Sequence, residues 1–274
     1  MEIRAGYEIS CDCAQPTPMI TMLNVHPSRE KDLVNPDLLR LDPPIPTNRY
    51  ADGFGNICHV IHAPKGHLIL SSDFVIRDSG KPDEVAQDAE QYALEKLPVE
   101  TLVYLLGSRY CETDLFTNLA WAKFGNVRKG WTLVQAICDY VHDHLTFGYE
   151  YANPTNTAWQ AYAERRGVCR DFAHLAITLC RCMNVPARYC TGYLGDINVP
   201  PEPDPMDFSA WFEVYLGRWY TFDARHNTPR VGRILMARGR DATDVAIVTS
   251  FGPCRLTSFK VVTDEVALGG QTAT

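Results

Sequence analysis

The apolar pattern of this chain changes period twice, and that change limits the fold more than any other feature. Short strand-like runs at Ile3 to Ser10, Met19 to Val25, Asn56 to His62 and His67 to Phe74 are cut by Pro- and Gly-rich punctuation such as Asp42-Pro43-Pro44-Ile45-Pro46 and Asp52-Gly53-Phe54-Gly55. From about Glu84 the texture becomes helical. Apolar residues then recur at three- and four-residue spacing over Leu97 to Leu106, Asp114 to Lys123, Trp131 to Leu145 and Thr157 to Arg165. Past a further helix that starts at Cys169, strand patterns return at Ala187 to Leu194, Phe208 to Leu216, Trp219 to Asp223 and Leu256 to Thr263. Segregated runs of this kind predict an α+β fold: an N-terminal antiparallel β domain over 1–82, read as a small sandwich, and an α+β core over 83–274.

The punctuation before the last helix carries chemistry. Arg165-Arg166-Gly167-Val168-Cys169-Arg170-Asp171-Phe172-Ala173 delivers a thiol to the first turn of a helix, ahead of the run His174-Leu175-Ala176-Ile177-Thr178-Leu179-Cys180. Unpaired backbone N–H groups and the positive end of the helix dipole favour thiolate there, and thiolate is the nucleophilic form. Cys169 is therefore a candidate nucleophile, against the plainer alternative of a small buried hydrophobe. Asp171 in the same turn suits the dipole but sets a negative charge near the thiol. His174 lies about 140° around the helix from Cys169, so it is expected to pack beneath the site. His142 and His144 are read as solvent-exposed, and the histidines of the first strands as strand and loop residues.

Bulk properties exclude several classes. A net charge of −7 over 274 residues leaves no electrostatic footprint for nucleic acid or an anionic membrane, so neither is expected as a partner. No basic segment followed by an apolar run opens the chain, and no run approaches the ~18 apolar residues needed to span a bilayer. The expected location is cytoplasmic, where the ten cysteines would stay reduced rather than form a disulfide framework. Cys11-Asp12-Cys13 and Cys180-Arg181-Cys182 lack the C-x-x-C spacing of zinc sites. No metal and no cofactor are expected. The stretch Pro200-Pro201-Glu202-Pro203-Asp204-Pro205 reads as a rigid surface connector near the site.

Four blocks carry a family resemblance. Gly167-Val168-Cys169-Arg170-Asp171-Phe172-Ala173, Asn184-Val185-Pro186-Ala187-Arg188-Tyr189-Cys190-Thr191-Gly192-Tyr193, Ala210-Trp211-Phe212-Glu213-Val214-Tyr215 and Trp219-Tyr220-Thr221-Phe222-Asp223 resemble the transglutaminase-like superfamily of papain-related thiol enzymes. The likeness covers about residues 130–225, and the β-rich start looks like the N-terminal domain joined to bacterial members. The resemblance implies a core with its cysteine at a helix N-terminus packed on an antiparallel sheet. It also implies a Cys-His-Asp triad acting through a thioester on an amide or peptide bond, by hydrolysis or by transfer to an amine. Peptides, proteins or small amides are the implied substrates, and Cys169 and Asp223 match nucleophile and orienting carboxylate. Calcium is not implied, since no D-x-[DN]-x-[DN]-G loop is present. The sequence leaves the oligomeric state open.

One block departs. The family's third block opens His-Ala-Trp, and here it reads Ser209-Ala210-Trp211. A hydroxyl is no general base near neutral pH, so His226 in Asp223-Ala224-Arg225-His226-Asn227 is the nearest substitute. Register decides its place. A two-residue turn at Gly217-Arg218 would set Ser209 opposite His226 but pair the apolar face with Thr221, Asp223 and Arg225. An offset of one residue pairs Ala210, Phe212 and Val214 with Ala224, Phe222 and Tyr220, and burial favours this offset. His226 must then fold back toward Cys169. A non-catalytic module that binds a peptide or partner protein is the alternative reading.

Overall fold

A computed structural model describes residues 1–202 and 205–266. The N-terminal half begins with β1 (Glu2–Cys13), β2 (Thr17–Thr21), β3 (Arg40–Asp42), β4 (Thr47–Ala51), β5 (Ile57–Ala63) and β6 (Gly66–Arg77). The helical segment follows as α1 (Thr113–Phe124) and α2 (Trp131–His144), the short β7 (Thr146–Phe147), α3 (Ala158–Glu164), β8 (Arg166–Gly167) and α4 (Cys169–Cys182). Then come β9 (Ala187–Tyr193), β10 (Ser209–Tyr215), β11 (Trp219–Phe222), β12 (Ile234–Gly239), β13 (Val248–Ser250) and β14 (Cys254–Glu265). The fold is α+β with antiparallel main sheets and a β-rich N-terminal region, as expected. The segment expected to be helical around 97–106 is a 3-10 helix, Val99–Leu105, whose Pro98 at the N-cap sets an extended entry.

The chain does not divide cleanly at residue 82. The last two strands return to the β-rich half, giving one sheet in the order β14-β1-β6-β3 and a second in the order β13-β2-β5-β4. These sheets share one apolar core that includes Ile3, Met19, Ile61, Leu70 and Phe74, and this core continues into Tyr193, Ile234 and Met236 of β9 and β12. The third sheet, β11-β10-β9-β12, therefore touches both halves. Its other face packs on the helices.

Burial explains the arrangement around α4. All but the first two residues of this helix are buried, so it sits as a central rod between the sheet and α1, α2 and α3. Ala210, Phe212 and Val214 of β10 and Phe222 of β11 face it, while Trp211 lies on the opposite face with Cys190 and Leu235. The hairpin register is Phe212 to Phe222, Val214 to Tyr220 and Tyr215 to Trp219. This is the offset that burial favours, and the turn at Gly217 takes a φ of 87° that suits glycine.

Candidate active site

The thiol is placed by the start of α4. The Val168 N–H donates to Asp171 Oδ2 at 2.8 Å and the Asp171 N–H returns to the Val168 carbonyl at 2.8 Å, which closes the first turn. Asp171 is fully buried and also accepts from Asn156 Nδ2 at 3.4 Å, so its carboxylate caps the helix. A Cβ on Gly167 would lie 2.6 Å from the Asp171 side chain, which explains the glycine before the cysteine. His174 packs deep below, as its angular position predicts. It stacks on Tyr110 with centroids 5.1 Å apart, and its Nε2 accepts from the Ala242 N–H at 3.1 Å.

The carboxylate and imidazole come from the end of β11. Asp223 Oδ1 accepts the N–H groups of Arg225 (3.0 Å) and His226 (3.1 Å), and the Asp223 carbonyl accepts the Asn227 N–H at 2.8 Å. The turn therefore folds back on its own aspartate. That brings His226 Nδ1 within 2.8 Å of Asp223 Oδ2, in a pair whose side chains are 13% and 4% exposed. Helix α2 braces the turn from below. Gln135 Nε2 donates to Asn227 Oδ1 (2.9 Å), Asn227 Nδ2 donates to Asp139 Oδ1 (2.8 Å), and His142 Nδ1 lies 2.8 Å from the Arg225 carbonyl. His142 is exposed but bonded. His144, expected in solvent, is half-buried and stacks on Tyr162 at 4.6 Å, because α3 closes over that end of α2.

Cys169, Ser209 and His226 line one cavity of about 200 Å³, with Asp207, Arg225 and Arg230 on its walls. Glu202, from the proline-rich connector, pairs with Arg225 at 2.7 Å, and Arg225 lies 3.8 Å over the Phe147 ring. The connector thus forms one rim of the cavity, with Pro203 and Asp204 outside the described residues. Among the described residues no hydrogen bond joins the Cys169 sulfur to the His226 ring. The Ser209 hydroxyl is buried and has no partner among the described residues, although the Ser209 carbonyl accepts from Thr191 Oγ1 at 3.0 Å. A larger hollow of about 610 Å³, bordered by Asn24, Leu33, Asp37 and His59, lies in the β-rich half and holds no thiol.

Electrostatics hold the pair and the thiol differently. Burial alone would push the Asp223 carboxyl up, but the adjacent Arg233 guanidinium and the His226 contacts outweigh it and hold the carboxyl well below the usual carboxylate range. Arg233 is buried between two acids: its Nη2 donates to Asp223 Oδ2 and its Nε to Asp83 Oδ2, each at 2.8 Å. The Cys169 thiol is pushed up to about 11 by burial, with Asp207 adding to the rise. The Ala210 N–H at the sulfur and the Arg225 charge work in the other direction and lose. Burial and Asp207 thus favour the protonated thiol and work against the ion pair that the triad resemblance implies.

This predicts how Cys169 alkylates. Iodoacetamide labelling at this residue, followed by peptide mass spectrometry from pH 7 to 11, should rise about tenfold per pH unit with no plateau near the ~8.5 of a free thiol. Asp207→Asn should move the curve to lower pH, because the second cause of the rise is removed. A plateau below pH 8.5 in the unchanged chain would contradict the burial argument.

Of the residues expected at the site, the fold brings Cys169 and His226 to one cavity and sets Asp223 behind His226, while sequence reasoning missed Arg233, Asp207 and Asp83. Arg233 follows Val231-Gly232 at the entry to β12, a strand the patterning did not resolve, and nothing local marks its side chain as buried. Asp207 lies two residues before β10 and was legible only as a loop residue.

A cysteine at the head of a buried helix, packed on an antiparallel sheet whose strand end presents a His–Asp pair, defines a cysteine-enzyme fold. The chain belongs to the transglutaminase-like superfamily, whose family model matches residues 120–224. It is 36% identical over 223 residues to an uncharacterized protein of Mycobacterium leprae, covering 72% of this chain and 73% of the relative. An uncharacterized protein of Mycobacterium bovis is 27% identical over 231 residues, covering 76% and 73%. Among solved structures, a candidate cysteine protease from Cytophaga hutchinsonii superimposes with a TM-score of 0.84 at 28% identity, covering 100% of this chain and 92% of that one.

Proposed function

We propose that this protein is a transglutaminase-like cysteine enzyme that acts on an amide or peptide bond through a thioester, with His226 in place of the histidine that Ser209 replaces. The observation that carries this reading is the His226–Asp223 pair at 2.8 Å, whose histidine lines the cavity that also holds Cys169. In the neutral ring, Nδ1–H donates to the ionised Asp223, which leaves Nε2 free to accept a proton. Arg233 keeps Asp223 ionised, and Asp223 orients the ring, as the carboxylate does in serine triads.

The steps follow from the resting thiol. As Cys169 Sγ bonds to the amide carbon, its proton passes to His226 Nε2, so attack and deprotonation are coupled. The carbonyl π pair moves onto oxygen, where the Cys169 N–H is one available donor. Collapse breaks the C–N bond, and His226 returns the proton to the departing nitrogen. An amine or water then attacks the thioester with His226 again as base. The unpartnered Ser209 hydroxyl offers the bound substrate a further hydrogen bond.

A binding module without catalysis is favoured by the upward push that desolvation gives the Cys169 thiol. A single experiment separates the two. The protein is incubated with a panel of glutamine-, asparagine- and backbone-amide peptides and then quenched in acid. Expected are an acyl adduct on Cys169 by intact mass and release of ammonia or amine, both absent in Cys169→Ala. Peptide retention with neither product would reject the enzyme in favour of the module.

A further inference from the structure

Far from this cavity, the fold gathers three thiols. Cys11 and Cys13 are two apart on β1 and so share one face of the strand. Cys254 opens β14 and pairs directly with Cys13 across the antiparallel ladder. The three sulfurs all lie within 4.8 Å of one another, and Cys13 Sγ is 3.4 Å from Cys254 Sγ. Cys11 and Cys13 are buried and Cys254 is half-buried. An apolar hollow of about 280 Å³, bordered by Leu70, Ile247 and Phe259, opens onto Cys11 and Cys254 and supplies a way in.

We infer that Cys11, Cys13 and Cys254 form a binding site for a monovalent soft d10 cation of the copper(I) class, held by three sulfurs. The donor set decides the class. Thiolates select soft ions, and a metal–sulfur bond of roughly 2.3 Å places three trigonal sulfurs about 4.0 Å apart, a spacing this cluster reaches with small side-chain movements. Zinc in a closed site takes four ligands, and among the described residues the cluster has three. Asp12 points to the other face of β1, where it meets His67 at 2.8 Å and Arg255 at 3.2 Å. The lining of the hollow offers no carboxylate or imidazole.

Binding replaces three S–H bonds by three metal–sulfur bonds and sends three protons to solvent. Burial raises all three thiols, Cys13 to about 11, so at neutral pH the cation displaces protons from thiols. The consequence is a clamp. The ion would tie β14 to β1 across 241 residues of sequence, at the end of the sheet opposite Glu2 and Glu265.

The test uses the full chain with Cys169→Ala, so that the cavity thiol captures no metal. Copper(I), supplied anaerobically as its acetonitrile complex, is competed with a colorimetric copper(I) chelator while metal content, ultraviolet absorbance and melting temperature are recorded. The expected result is one copper(I) retained per chain, a thiolate-to-copper band and a raised melting temperature. All three should be lost in Cys254→Ser, which lies on a half-exposed edge strand, and in Cys11→Ser. Failure of the parent chain to retain copper(I) overturns the site. Retention that survives both substitutions also overturns it, and tighter retention of zinc than of copper(I) overturns the monovalent assignment.

Discussion

Replacing His226 by alanine is expected to lower turnover of an amide substrate by about 10²–10⁴-fold, the range for losing a general acid–base group. The loss should fall on turnover more than on substrate affinity, since His226 borders the cavity while its Nδ1 points to Asp223. A second substitution makes the prediction specific. Ser209 opens β10 and lines the same cavity as Cys169 and His226. A histidine at 209 would therefore enter the cavity beside Cys169. Ser209→His in the His226→Ala background is expected to recover part of the lost turnover, measured by the same ammonia-release assay. Equal activity of His226→Ala and the parent chain would sink the proposed role, and rescue would be absent if His226 acted only by propping its turn.

Arg233→Met is expected to destabilise the fold by about 3–5 kcal/mol, the cost of removing one partner from a buried charge pair. Its side chain is 7% exposed and joins Asp223 (4%) to Asp83 (17%). Methionine fills the space but leaves two carboxylates facing each other without a cation. At roughly 2–4 °C per kcal/mol, the melting temperature should fall by about 10 °C at pH 7. The sign with pH follows from Asp223. Its folded carboxyl titrates below the ordinary ~3.9, so the stability drawn from its ionisation is fully present above about pH 4 and is lost as pH falls through the folded value. The gap between Arg233→Met and the parent should therefore be full at pH 7 and narrow below pH 4. Thermal denaturation at both pH values checks it, and a gap that widens in acid would refute the ion-pair account. Arg233→Lys, which keeps the charge but not the two-ended fork, should fall between the two.

What the sequence determined by itself was whatever a local pattern can encode. Period-two runs and their Gly and Pro boundaries marked the long strands, and three–four periodicity marked the helices. The buried faces of Phe212 and Phe222 set the hairpin register, because a one-residue slip would have turned Asp223 into the core. The Gly167–Cys169 turn placed the thiol. His226 was legible as a candidate base because it is the histidine nearest, along the hairpin, to the position that Ser209 vacates. Leu97 to Leu106 shows the limit of periodicity, since the apolar spacing there is met by a 3-10 helix. Only the tertiary structure decided the rest. Arg233 became the partner of Asp223 because β12 lies beside β9, and nothing near it in sequence records that adjacency. The upward push on the Cys169 thiol comes from desolvation and from Asp207, while the first-turn location of the cysteine alone argues for thiolate. The two-residue spacing of Cys11 and Cys13 carried no metal signal until the last strand folded back and supplied Cys254. Patterns of burial are written along the chain, but charges and thiols take their chemistry from neighbours that only folding selects.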